Sequence, residues 1–420
     1  MPVHFLAVGL LIYIFASRFV LRRLRDVWRE VAFVLLNMAG YYCFFVHGRD
    51  PRYGLVLAVY VPLLFVQYLM LRLFADGKDW KPWLAFFTPI LALIIVRYVP
   101  ASFYASYRDS LRVTLLKDPG FTIAPYFVGL SYLAFRTSHL VLEVRNGVVK
   151  KPGLWEYLGF CIFVPTMSVG PINTFGNFRR GFDATPPAIS TARALLRILV
   201  GAVKFTFLGS FLNQLTYSGL LMDDHYHPWI DLPVAVVFFY LYLYCNFSGF
   251  CDMAIGVAGL AGVPVPENFQ DPLAARNLKD FWNRWHITLS QYMRDVVFSP
   301  LSKFFARLLG PSAVNHAVAL TIVIVFLLVG VWHGVGWNYA AFGAAHAVGL
   351  VANHYYTIGL KGWLGREGFK AYNANRWIHA AAVSLTFCYV ATSLFFFANT
   401  FPEMREIFSV MKYTAARHVL

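Results

Sequence analysis

From Leu308 to Leu360 the chain runs for 53 residues without a single Asp, Glu, Lys or Arg. A helix crosses a bilayer in about 20 apolar residues, so this stretch is long enough for two crossings. In lipid every backbone N–H and C=O must be satisfied internally, which leaves only helices and closed barrels. The apolar runs here are continuous rather than alternating, and that excludes a barrel. Composition agrees: 59% of the 420 residues are hydrophobic and 14% charged, against about 25% charged in an average soluble domain. The chain reads as an all-α polytopic membrane protein.

Apolar runs fall at about 3–21, 31–47, 53–74, 83–105, 124–143, 155–175, 193–221, 232–260, 313–357 (two crossings) and 376–398. They predict ten or eleven crossings, with interfacial or re-entrant helices besides. Residues 106–123 read as a polar connection broken at Pro119-Gly120. Basic residues gather in short loops at Arg22–Arg29, Arg72–Lys81 and Arg145–Lys151, and in the connection from Arg179-Arg180 to Pro187. The net charge of +15 is then a positive-inside signal, and a nucleic-acid partner is not expected. The first run has no basic residue before it and Arg22, Arg23 and Arg25 directly after it, the reverse of a cleavable signal. This predicts a retained first helix with its N-terminus outside and Arg22–Arg29 in the cytoplasm. The five cysteines form no CxxC pair and read as small apolar residues. With no repeat, heptad or low-complexity linker, a single membrane domain over 1–420 is expected, its motifs densest at about 160–350.

Two histidines stand out. His333 lies in Val331-Trp-His-Gly334 within the uncharged block, where an imidazole is costly unless it faces a cavity or a partner. A neutral imidazole can take a proton from a hydroxyl near neutral pH. Gly330, Gly334 and Gly336 around it suit close approach of a substrate, or equally of a second helix. His286 lies in the polar, tryptophan-rich run Asn277–Ser290. Over Lys279–Val297 the residues Phe281, Trp285, Leu289, Tyr292 and Val296 fall on one stripe, predicting a single amphipathic helix in the interface or dipping into the protein. Asp252 follows 20 uncharged residues and needs a partner, for which Arg276, Lys279 and Arg284 are the candidates. His346 and His354 share the uncharged block with His333, but no facing histidine on a second crossing supports a haem site. No carboxylate or Cys/His cluster supports a metal. There is no G-x-S-x-G elbow and no phosphate loop. An intramembrane base without an activated nucleophile favours direct transfer to a substrate hydroxyl.

The runs Asn277-Leu-Lys-Asp-Phe-Trp-Asn-Arg-Trp-His286, Phe247-Ser-Gly-Phe-Cys-Asp-Met-Ala-Ile-Gly256, Pro266-Glu-Asn-Phe269, Val331-Trp-His-Gly-Val-Gly-Trp337 and Val164-Pro-Thr-Met-Ser-Val-Gly-Pro-Ile172 together resemble the membrane-bound O-acyltransferase (MBOAT) family. The likeness is to its bacterial branch of teichoic-acid D-alanyl transfer and of alginate or peptidoglycan O-acetylation. It implies helices around a funnel, with His333 and His286 catalytic. Asn283, Arg284, Trp285, Trp332, Asp252 and Ser290 enter as substrate-binding candidates. It also implies no permanently bound cofactor, and a cytoplasmic thioester donor on an acyl carrier protein's phosphopantetheine arm or on coenzyme A. The acceptor would be a hydroxyl on an extracytoplasmic glycan or polymer, or a secreted SGNH-type partner protein. The expected location is the bacterial cytoplasmic membrane. Trp332, Asn283 or a protonated His286 are alternative donors to the oxyanion. Acetyl and D-alanyl both fit the motifs. The competing class is a transporter or flippase of envelope precursors, which predicts two related halves with matched broken helices; the first half of the chain offers no counterpart to the polar cluster of the second.

Overall fold

The computed structural model describes residues 3–47, 52–98, 129–183, 190–220 and 227–417. The connection at 106–123 with Pro119-Gly120, and the end of the Arg179–Pro187 connection, lie outside them. Among the described residues every named element is helical, and the one extended pairing is an isolated bridge between Phe269 and Trp285. Among the described residues six helical segments are long and apolar enough to cross a membrane: Asp26–Val46, Lys81–Tyr98, Thr191–Leu220, Trp229–Leu260, Pro311–His333 and Arg376–Ala398. Thr191–Leu220 exposes Leu195, Leu196, Leu199, Phe207 and Phe211. A surface of that kind suits contact with lipid.

By contact the chain divides into two compact units, Met1–Leu199 with Cys251–Pro266 and Val200–Phe250 with Glu267–Leu420. The first holds α1 (Val3–Phe15), α2 (Asp26–Tyr41), α3 (Arg52–Phe74), α4 (Lys81–Tyr98), α5 (Leu130–Arg145), α6 (Leu154–Cys161) and α7 (Phe175–Asp183). Helices α8 (Thr191–Ala202) and α9 (Pro228–Leu260) contribute residues to both units.

The run at 155–175 is not a straight crossing. Helix α6 stops at Cys161 and a short 3₁₀ turn follows at Val164–Thr166, because Pro165 and Gly170-Pro171 cannot continue the helical ladder. The amide thereby released is caught from another helix: Val164 N–H donates to Asn37 Oδ1 at 3.0 Å, and the Tyr13 hydroxyl reaches the same oxygen at 2.9 Å.

Asp252 pairs with a cation outside the set expected for it, Arg197. Its Oδ1 accepts from Arg197 Nε at 3.0 Å and NH2 at 2.9 Å. Sequence distance hid this partner, which lies 55 positions upstream on α8. The approach is close because Gly256, one turn after Asp252, has no side chain to strike Ala194 O and Ile198 of that helix.

The basic loops of this unit meet one another. Lys151 pairs with Asp76 at 2.7 Å and donates to the Arg72 carbonyl at 2.7 Å. Lys151 holds the Asp76 carboxyl below its ordinary range. Arg179 pairs with Glu156 at 3.2 Å, and Arg29 donates to the Phe182 carbonyl with its guanidinium 4.1 Å over the Phe182 ring. The Arg72–Lys81 loop is thus joined to Arg145–Lys151, and the Arg29 region to Arg179–Asp183.

The second unit holds α10 (Leu278–Arg284), α11 (Ile287–Met293), α12 (Ser299–Leu309), α13 (Val314–His333), α14 (Trp337–Ala374), α15 (Arg376–Ala398) and α16 (Phe401–Arg417). Helix α14 bends at Gly365, whose φ of 65° favours glycine. Helices α13 and α14 cross where Gly330 meets Gly343; a Cβ on either would run into the other's backbone or its neighbours, Tyr339 O and Phe326 O. Of the two readings of the glycines near His333, helix packing is the one realised at Gly330. Small residues at such crossings let backbones approach closely enough for dispersion to hold them.

Single cysteines introduced at positions 25, 78, 150 and 180 are expected to react with an impermeant maleimide from the same side of the membrane, the cytoplasmic one. Labelling of the 78 and 150 positions from opposite sides would contradict the packing of their loops.

Candidate active site

The expected single helix over Lys279–Val297 is broken in its middle. Helix α10 ends at Arg284, Trp285 is extended, and His286 adopts a left-handed conformation with φ 45° and ψ 52° before α11 begins. A π turn at Arg294–Phe298 then leads into α12. The stripe survives the break, since Phe281, Trp285, Leu289 and Tyr292 are all buried. The hydrophobic period reports which residues face inward, and it is silent on one residue leaving the ladder.

What draws His286 out is the Pro266–Phe269 segment. Gln270 N–H donates to Arg284 O at 3.0 Å and Ile287 N–H to Asn268 O at 3.0 Å, a short extended pairing centred on Phe269 and Trp285. The Asn268 side chain completes it: its Oδ1 takes the Thr288 amide at 3.2 Å, the Thr288 hydroxyl at 2.9 Å and His286 Nδ1 at 3.2 Å. The aromatic residues lock this arrangement, with Trp285 5.0 Å from Phe269 and 5.6 Å from Phe281 between ring centroids, and Phe247 4.9 Å from His286. Such contacts add about 0.5–1.5 kcal/mol each beyond the area they bury.

His333 is the last residue of α13, and Gly334 after it is extended. Its ring lies against Trp332 at 4.6 Å, Phe397 at 5.1 Å and Phe342 at 5.8 Å. Trp332 is also 6.2 Å from His286, so one indole borders both imidazoles. His286 is buried while His333 is half-buried, and His286 Nε2 and Ser290 Oγ are buried without a hydrogen-bond partner among the described residues.

The other candidates separate. Ser290 sits one turn into α11, its amide bonded to His286 O. Asn283 is exposed and accepts from Arg294 NH2 at 2.9 Å. Arg284 pairs with Asp280 at 2.8 Å. Trp285 is a packing residue among aromatics. The structure therefore gathers His286, His333 and Trp332, with Ser290 one turn from His286, while Asn283 and Arg284 engage charged neighbours on their own segment and Asp252 engages Arg197.

His346 was legible only as one more histidine on an apolar block, and it ties three helices together. Trp282 Nε1 donates to His346 Nδ1 at 3.2 Å, and His346 Nε2 lies 2.9 Å from Ser393 Oγ, which in turn bonds Val390 O at 2.7 Å. The indole N–H can only donate. The proton of His346 is therefore on Nε2, directed at Ser393, whose own proton goes to Val390. Both ring nitrogens are engaged in fixing α10 against α14 and α15. A spacing signal could not reveal this, because the three residues span more than a hundred positions. His346→Leu keeps the volume but strands the buried Trp282 N–H, and it is expected to cost about 1–3 kcal/mol. A lowered thermal midpoint in detergent, with a smaller loss in Ser393→Ala, is the result that fits; an unchanged midpoint in His346→Leu contradicts the network.

Residues 82–396 match the family model of the membrane-bound O-acyltransferases. The chain is 29% identical over 422 residues to a teichoic acid D-alanyltransferase of Streptococcus thermophilus, covering 95% of this chain and 94% of that protein. It is 30% identical over 282 residues to the teichoic acid D-alanyltransferase of Bacillus subtilis, covering 65% and 69%. A probable alginate O-acetylase of Azotobacter vinelandii matches at 26% over 329 residues, covering 75% and 62%.

Proposed function

This chain belongs to the membrane-bound O-acyltransferase family and is a membrane O-acyltransferase, and on that premise we propose that it transfers D-alanyl from a cytoplasmic thioester to a hydroxyl of a cell-envelope polymer, with His333 as general base. The observation that carries this reading is the pairing of two imidazoles across Trp332 at the point where α13 ends. There the catalytic ring stands half-buried between aromatic walls, in a stretch without a charged side chain. The neutral imidazole is the form that accepts a proton.

In the proposed step His333 takes the acceptor hydroxyl's proton as the oxygen attacks the thioester carbonyl. The C–S bond then breaks, and the departing thiolate recovers the proton from the His333 imidazolium. The indole N–H of Trp332, beside both rings, suits the oxyanion that forms between these steps; Asn283, exposed and bonded to Arg294, does not. The donor would be an acyl carrier protein's phosphopantetheine thioester, with acyl-coenzyme A as its counterpart. The acceptor would be an extracytoplasmic glycan or polymer, or a secreted partner transferase, and the site of action the bacterial cytoplasmic membrane. D-alanyl is preferred to acetyl because the likeness to a D-alanyltransferase runs nearly end to end, while that to the alginate O-acetylase covers 62% of the relative.

Membranes carrying the protein are supplied with labelled D-alanyl carrier protein or, separately, labelled acetyl-coenzyme A, and label is followed into envelope polymer. Incorporation from the D-alanyl donor is expected. It should fall by about 10²–10⁴-fold in His333→Ala at matched expression, the usual contribution of a general base. Undiminished turnover in the variant removes His333 from that role, and incorporation from acetyl-coenzyme A alone reassigns the acyl group.

A further inference from the structure

We propose that Asn268 is a positioning residue that holds His286 with its proton on Nδ1, so that His286 meets bound substrate through the bare Nε2, as an acceptor of a substrate O–H or N–H. The proposal rests on the acyl-transfer reading above and assigns the second imidazole its part in it.

The hydrogen bonds determine the protons. The Thr288 amide can only donate, and it faces the Asn268 side chain at 3.2 Å. The atom it faces is therefore the carbonyl oxygen and not the NH2, which removes the ambiguity an amide side chain usually carries. The Thr288 hydroxyl reaches that oxygen at 2.9 Å and His286 Nδ1 at 3.2 Å. A ring nitrogen facing an acceptor carries the proton, and in a neutral imidazole the other nitrogen is then bare. That other nitrogen, Nε2, is buried and has no hydrogen-bond partner among the described residues. Native structures pair nearly all their buried polar atoms, so an exception at a histidine asks for a ligand. The Ser290 hydroxyl, one turn along the same helix, is likewise buried without a partner.

The backbone points the same way. His286 is a non-glycine residue at φ 45°, a conformation that persists only where surrounding structure enforces it and that concentrates at functional sites. Here Asn268 enforces it, binding His286 on one side and Thr288 on the other. The rings packed on His286, Phe247 and Trp332, carry no charge. The two imidazoles therefore divide the work, one moving the proton and one holding the substrate.

The test is ¹⁵N spectroscopy of protein labelled in its histidines, with His286 assigned from the signal missing in His286→Gln. Wild type should show a protonated, pyrrole-type Nδ1 and a pyridine-type Nε2 at position 286. Asn268→Ala should lose this single tautomer and lower kcat/KM by about 10–100-fold, the usual cost of losing a residue that orients a functional histidine. Asn268→Asp keeps the acceptor oxygen; assayed above neutral pH, it should restore the Nδ1–H signature and most of the activity. A role confined to packing would not be rescued by tautomer. A wild-type His286 protonated on Nε2 overturns the proposal, as does an Asn268→Ala protein unchanged in spectrum and turnover. If wild type carries the Nδ1–H signature yet moves no acyl group, the acyl-transfer reading fails and the Asn268 assignment stands.

Discussion

A helix that breaks inside a membrane protein releases amides that lipid cannot satisfy, and the site of this protein exists because one asparagine takes them up. Between α10 and α11 the ladder is interrupted for Trp285 and His286. Asn268 accepts from the Ile287 amide with its backbone and from the Thr288 amide with its side chain. Without those bonds the local optimum would be the continuous amphipathic helix that the hydrophobic stripe describes, with His286 on its polar flank. The break turns that residue into the protein beside Trp332.

The same device appears in the other unit. Where α6 stops before Pro165, the Val164 amide goes to Asn37 Oδ1. Asparagine suits this task because its carbonyl accepts like a peptide while its side chain reaches out of its own ladder. In both places irregular backbone is confined to the interior of a compact unit, which is where such backbone is tolerated in membrane proteins.

Around the site, rigidity comes from aromatic packing and from His346. Its two ring nitrogens are committed to Trp282 and Ser393, so α10 is held against α14 and α15 at the residue four positions before His286. The close crossing of Gly330 and Gly343 seats α13 on α14 and thereby sets the end of α13, where His333 stands. Two imidazoles from different parts of the chain are each aimed by separate contacts, and the indole of Trp332 lies between their positions.

The amino-acid sequence by itself determined the class of the fold, because charge-free runs longer than a bilayer is thick admit only helices. It determined the inward face of Lys279–Val297, because burial follows the period of the helix; it marked His333, because an imidazole is expensive among apolar residues, and His286 by its polar, tryptophan-rich run. Only the tertiary structure decided the rest. The break at His286 depends on Asn268, 18 positions upstream. Asp252 pairs with Arg197, 55 positions away. His346 is structural because of Trp282 and Ser393, 64 and 47 positions off. Hydrogen bonds and ion pairs act over about 3 Å in space without regard to separation along the chain, whereas a sequence pattern reports only neighbours within a turn or two of helix.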